Sequence, residues 1–434
     1  MTAIARFGRQ VTVLGRVGCP PMVFGIPLRS LRAAAFVFLI TFVSLPIIGL
    51  PYTADDTVNR NWPTQPFVDQ ISGAWHLNKV WMFEQGRFFP GGAVYALTMW
   101  NLLQTRAAYM TYLALLNILC IGLVAFIVWR ITRSAHLMAF AGFATAMCFQ
   151  LRWGFLDGIG SFGGLVLYTL VLTMITGLIA AHVLHGGSKW WVIAIAILWS
   201  LAITAYEVSL LMLPATLLLI WATGPSLRRN RARYAWATLP LIIPAVLEVG
   251  ITLYLRRHPL PLVPAYQTDL HGPVLSTFGK QFTAALPFMQ EGFSGAQFQG
   301  RIALLLVVLL AVPTFLVWRP WSAGRFRLST RVSTAMVAAG LWFWLVPSVL
   351  AGITVRWQND LVWGQGYIYL AYEFVGVGMV LTGIAAIIRT YAPRPWARVA
   401  FAVFFGLVLV ACVLAAGENI LNVGTIVPGP ASAG

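Results

Sequence analysis

Apolar runs of about 20 residues, separated by short polar stretches, make up most of this chain. Such a run, coiled at 1.5 Å per residue, crosses a hydrocarbon layer about 30 Å thick. The pattern predicts an all-α polytopic membrane protein of about eleven transmembrane helices: 31–50, 107–129, 135–150, 165–184, two within 190–223, 235–255, 302–317, 333–355, 370–388 and 399–416. Residues 190–223 need dividing, because a single helix of that length would reach roughly 50 Å. One helix would also place Arg228, Arg229, Arg231 and Arg233 outside, against the positive-inside rule. The predicted break falls near Tyr206 and Glu207, on the outer side.

Charge fixes the expected orientation. Arg6, Arg9, Arg16, Arg29 and Arg32 cluster at the start of the first run, Arg130 and Arg133 close the second, and Arg389, Arg394 and Arg398 come after the tenth. These place residues 1–30 and the other strongly basic short loops in the cytoplasm, and the C-terminus outside. The first run has no small-x-small cleavage pattern and reads as a retained helix. The rest, 31–434, reads as one transmembrane domain. No internal repeat of the helix pattern is visible, which speaks against an inverted-repeat transporter.

Composition agrees. Of 434 residues, 59% are hydrophobic and only 9% charged, against roughly 25% charged in a soluble domain. The net charge of +17 would suggest nucleic acid in a soluble protein; here the cations lie between apolar runs and set topology, and no nucleic-acid partner is expected. Cys120, Cys148 and Cys412 sit in apolar runs and Cys19 in the basic tail, so no disulfide framework is expected. The six histidines lack metal-ligand spacing; His182 and His185, three apart, fall at the cytoplasmic end of a span.

Two outer loops are long, 51–106 and 256–300, and loops beyond about 12–15 residues usually carry function. In the first, Phe67, Ile71 and Trp75 recur at helical spacing, as do Ala96, Trp100 and Leu103, predicting short helices flat in the membrane interface. Asp55 and Asp56 open this loop, in a chain with only 12 acidic residues. Adjacent carboxylates raise each other's pKa unless a cation or hydrogen bonds offset the repulsion; the alternative reading of the pair is that one of them caps the following helix. Arg152, Arg256, Arg257 and Arg356 lie at outer span ends, with Lys79, Arg87 and Lys280 in the outer loops. Arginine suits bidentate phosphate capture, although headgroup contacts or pairing with Asp157 and Asp360 also account for it. Glu207, Glu248 and Glu373 fall in the outer half of the membrane, where carboxylates face a polar cavity or a neighbouring helix.

A cytoplasmic N-terminus, one helix, then a long outer loop opening on an acidic pair resembles the GT-C superfamily of integral-membrane glycosyltransferases. Asp55 and Asp56 match its acidic motif, and the interfacial helices of 66–106 match those that come after the motif in that superfamily. The segments from Gly86 to Pro90 and from Trp357 to Tyr367 also look like loops of its bacterial members. The specific likeness covers the first quarter of the chain. The length resembles the compact bacterial members, and the chain is similar to arabinofuranosyltransferases, including those that modify pilin.

The resemblance implies a GT-C-like fold in a bacterial inner membrane, with the active site facing the periplasm. It implies transfer of a sugar, arabinofuranose favoured, from a polyprenyl-phosphate donor to an envelope glycan, lipid or pilin acceptor. Asp55 is the expected general base. Asp56 orients Asp55, contacts a sugar or binds a divalent ion (Mg, Mn or Ca). Arg152, Arg256, Arg257, Lys280 and Arg356 are expected on the donor phosphate. Trp75, His76, Arg87, Glu207, His258, Gln358, Tyr367 and Glu373 are expected to line the substrate cavity. Two other classes share this layout. A transporter or flippase would use the three glutamates for coupling, and a lipid-linked glycan polymerase or ligase would work through loop 256–300 with Asp55 dispensable.

Overall fold

A computed structural model describes residues 22–23, 26–53, 56–151, 158–160, 162–257, 267–289, 304–318, 328–367, 369–391 and 394–423. Two residue pairs, β1 (Met22–Val23) and β2 (Ile26–Pro27), form a small antiparallel hairpin, and the other regular elements among the described residues are helical. The chain is an all-α multi-pass membrane protein. Among the described residues seven helices are long and apolar enough to cross a bilayer.

The first is α1 (Leu28–Ser44), which tightens into a 3-10 turn over Leu45–Gly49 where Pro46 takes away a backbone donor. The next loop holds α2 (Asp56–Asn59), α3 (Phe67–Lys79) and α4 (Pro90–Leu102), the last two where interfacial helices were expected. α3 buries a polar and small stripe, Gln70, Ala74 and Asn78, and exposes Phe67, Val68, Ile71 and Trp75. An outward apolar face of this kind suits a helix lying against lipid.

α5 (Arg106–Thr132) is capped by the Thr105 side chain and α6 (Ala135–Ala146) by Ser134. α6 is shorter than the expected 135–150; the chain leaves it at Met147 and continues buried to Leu151. There Asn419 accepts the Leu151 N–H at 2.8 Å and donates to the Phe149 carbonyl at 3.0 Å, replacing the lost helical bonds. α7 (Leu165–Leu184) and α8 (Trp191–Ala205) come next, and the chain breaks at Tyr206, which is extended. A 3-10 segment, Glu207–Met212, leads into α9 (Leu213–Thr223). The break thus lies where the arginine distribution required it. α10 (Arg231–Arg257) is a full-length helix with Pro240 and Pro244 inside.

The second long loop contains a helix of its own, α11 (Val274–Ala284), and a bridge between Thr268 and Thr354. An apolar helical stretch, Leu304–Trp318, ends in α12 (Val312–Trp318). α13 (Thr330–Gly352) stops before the expected end of its span, and α14 (Val355–Asp360) is a separate short helix. α15 (Leu370–Tyr391) and α16 (Arg394–Val423) complete the helical order. The apolar helices Ala135–Ala146, Trp191–Ala205, Glu207–Thr223 and Leu304–Trp318, of 10–17 residues, occupy the other four expected span positions and are shorter than a full crossing.

Helices α6 and α15 are buried almost all round and form the middle of the bundle. α13 and α15 cross at Gly340 and Gly376: a Cβ on Gly340 would lie 2.8 Å from the Gly376 carbonyl oxygen, so only glycine lets the backbones meet. Peripheral helices expose apolar side chains, Val37 and Phe38 on α1, Val246 and Leu247 on α10, Val403 and Leu407 on α16. That is the surface a lipid-embedded bundle presents. The bundle has two distinct ends. One carries the loop of residues 50–105, the Tyr206 turn and α14; the other carries Arg130, Arg133, His185 and Arg331.

Candidate functional site

The acidic pair is anchored by its second member. Asp56 opens α2 and is fully buried, and its carboxylate accepts a hydrogen bond from the Tyr109 hydroxyl at the start of α5. Tyr109 is held by rings on two sides, with Trp100 at 4.7 Å and Tyr52 at 5.6 Å between centroids. Thr53 donates to the Gly160 carbonyl at 2.9 Å, tying the segment before the pair to the loop after α6. Asp55 itself lies outside the described residues, as do Arg152 and His258.

Beside this, α4 begins with Gly91 and Gly92 packed on the end of α8, where a Cβ on Gly92 would come within 2.9 Å of the Ala205 carbonyl oxygen. The close approach draws the preceding residues against the Tyr206 turn. Arg87 forms an ion pair with Glu207, with side chains 14% and 27% exposed, and its guanidinium lies 4.8 Å from the Trp81 ring centre and 4.7 Å from that of Phe89. Burial opposes its charge, yet the pull of Glu207, joined by Tyr206, Tyr369 and Tyr367, holds the Arg87 pKa above its usual value.

Arg87 and Glu207 line a cavity of about 250 Å³ together with Glu248, Arg256, Tyr367 and Tyr369. The Arg256 Nε donates to the Gly86 carbonyl at 3.3 Å, so the loop and α10 close one wall. Trp357 of α14 forms another, with the Tyr367 ring 3.6 Å from it between centroids. Burial pushes the Tyr369 hydroxyl up to about 12 despite Arg87 nearby, leaving a neutral donor at the cavity wall. Two carboxylate oxygens, Glu207 Oε2 and Glu248 Oε1, are buried with no hydrogen-bond partner among the described residues. Buried acceptors of this kind need donors, which a polyhydroxyl ligand supplies.

The cavity therefore gathers Arg87, Glu207, Arg256 and Tyr367 from the expected set. Of the other expected cavity and phosphate residues, it gathers none of those described. Trp75 is 59% exposed on the outer face of α3, with His76 beside it, both away from the lining because the turn of that helix points them outward. Arg257 is exposed at the end of α10 and lines no part of the cavity. The Lys280 Nζ donates to the Leu361 carbonyl at 2.7 Å, which ties α11 to the loop after α14. Arg356 pairs with Asp360 one turn along α14 at 3.4 Å and covers the Trp357 ring. Gln358 is a backbone clamp, donating to the Asp269 and Gly352 carbonyls at 2.8 and 2.9 Å. Glu373 is a buried staple, accepting from Ser348 at 2.7 Å and Gln281 at 3.0 Å.

Sequence position singles out Glu248 without assigning it to the site, and does not identify Tyr109, Trp357 or Tyr369 as site residues. Glu248 carries a readable signal, a lone carboxylate in an apolar run. Tyr109 carries none beyond its place one turn into a span. The described carboxylate of the acidic pair, Asp56, is committed to Tyr109, and no group of three His, Cys, Asp or Glu gathers among the described residues. Compared with known proteins, the chain matches no family model, no curated protein and no solved structure.

Proposed function

We propose that this protein is a GT-C-type membrane glycosyltransferase that moves one sugar from a polyprenyl phosphate to an extracytoplasmic acceptor. The observation that carries the reading is the cavity where Arg87, Glu207, Glu248 and Arg256 converge beneath Tyr367 and Tyr369, at the same end of the bundle as the anchored acidic pair. Its two unsatisfied carboxylate oxygens suit sugar hydroxyls. Arg256, at the rim of α10, suits the donor phosphate. A volume of about 250 Å³ suits a single ring rather than an oligosaccharide.

In this reading all eleven apolar helices embed in the bacterial inner membrane, with the cavity facing the periplasm. Asp56, fixed by Tyr109, positions its neighbour. Asp55 takes the proton of the acceptor hydroxyl as that oxygen attacks the anomeric carbon. The new glycosidic C–O bond forms while the bond from the anomeric carbon to the phosphate oxygen breaks. The electron pair leaves with polyprenyl phosphate, already a stable anion, so no strong general acid is needed. Direct displacement inverts the anomeric carbon, and one carboxylate suffices where glycosidases use two.

The test is transfer by the purified protein. Polyprenyl phosphates bearing arabinofuranose, mannose, glucose and galactose are offered with envelope-glycan, lipid and pilin acceptors, and products are read by mass spectrometry for the mass gain and by NMR for the anomeric configuration. A donor-dependent gain of one sugar with inverted configuration is expected. Retention at the anomeric carbon, or solute movement with no new glycosidic bond, would overturn the reading.

A further inference from the structure

A second cavity lies at the opposite end of the bundle from the candidate site. It has a volume of about 720 Å³ and opens between α5, α7, α9 and α13, with α15 at its back. Its mouth is basic: Arg130 and Arg133 from the end of α5, His185 from the end of α7 and Arg331 from the start of α13. Below the mouth the walls are apolar, including Val124, Met174, Phe343 and Met379. Val124 lies six residues before Arg130 on α5, so the apolar part descends about 9 Å.

No carboxylate lines this cavity, and Arg130 and Arg133 form no ion pair among the described residues. Arg331 instead stacks on the Trp221 ring at 4.0 Å and donates to the Trp221 carbonyl, which holds its head at the rim. The excess of positive charge is felt locally: burial, with Arg130 and Arg133, lowers the His185 pKa. Carbonyl ends of α5 and α7 favour nearby cations, but they do not account for an apolar chamber under those cations. A basic pocket between membrane helices above a greasy interior matches an amphiphile with an anionic head.

We propose that this cavity is a binding site for an anionic phospholipid, with its phosphate at Arg130, Arg133 and Arg331 and one acyl chain against Val124, Met174 and Phe343. The site is separate from the transfer cavity, and its test uses no activity readout. A lipid phosphate could come from a glycerophospholipid or from a polyprenyl phosphate, so both are titrated.

Native mass spectrometry of the detergent-solubilised protein would follow adducts of phosphatidylglycerol, phosphatidylcholine and polyprenyl phosphate. Phosphatidylglycerol should bind the wild type about thirtyfold more tightly than the Arg130→Gln/Arg133→Gln variant, at about 1 kcal/mol per cation. Phosphatidylcholine should show no such difference. A plugging variant, Ala181→Phe, keeps the arginines and should abolish the tight adduct while the melting temperature holds. Equal binding of both phospholipids by the wild type would overturn the proposal and needs no variant. A tight adduct that survives Ala181→Phe would overturn it too, since the head would then sit on the surface. Preference for polyprenyl phosphate over phosphatidylglycerol would overturn the glycerophospholipid assignment.

Discussion

Arg87 and Glu207, 120 residues apart, form the ion pair that closes the first long loop onto the turn between α8 and α9. Neither residue belongs to a long helix, and the pair joins the loop of one to the turn of the other. Gly91 and Gly92 make the meeting geometrically available by letting α4 sit on the last residues of α8.

Removing one partner takes the ion pair from a largely buried charge. Arg87→Met or Glu207→Leu should each destabilise the protein by about 2 kcal/mol, between the cost at exposed and at buried pairs. The double variant should be less destabilised than the sum of the two, as thermal unfolding in detergent would show. Additive losses would mean that the pair is not coupled.

Tyr109→Phe deletes the hydroxyl that donates to Asp56 and leaves a buried carboxylate short of a donor. The expected cost is about 1–3 kcal/mol. If Asp56 positions the acidic pair, the variant should also lower kcat while leaving the donor KM within about twofold of wild type. A change in KM alone would place Tyr109 in donor binding.

Glu373→Leu separates a staple from a cavity residue. Its carboxylate joins α11, α13 and α15 through Gln281 and Ser348. The substitution should lower the melting temperature, with the donor KM of the surviving protein unchanged. Glu248→Gln should do the reverse: stability within about 0.5 kcal/mol, with transfer efficiency down about tenfold through weakened sugar contacts.

Much of the bundle was legible because a lipid environment demands long apolar runs, and arginine placement orients them. The same logic located the break at Tyr206, since a continuous helix would have carried four arginines to the wrong side. α11 was not legible: Val274–Ala284 is short and comes directly after Pro273, so its pattern reads as loop until the bridge between Thr268 and Thr354 frames it. At the site, sequence position puts Arg87 and Glu207 in the expected substrate cavity and Arg256 on the expected donor phosphate. It could not separate Glu207, which faces the cavity, from Glu373, which faces neighbouring helices, because a lone carboxylate in an apolar run has the same local signature in both settings. Trp75 and His76, expected on the cavity, line no part of it. Aromatic residues on an interfacial helix look alike whether they turn inward or toward lipid, and the buried stripe of α3 turned out to be Gln70, Ala74 and Asn78.

Sugar transfer with Asp55 as the base is the central claim. The most direct measurement is the initial rate of transfer from a polyprenyl-phosphate sugar by the wild type and by Asp55→Asn, with equal melting temperatures as the control for folding. The rate should be lower by about 10²–10⁴-fold in the variant, the usual worth of a general base. Near-normal transfer by Asp55→Asn would contradict the claim.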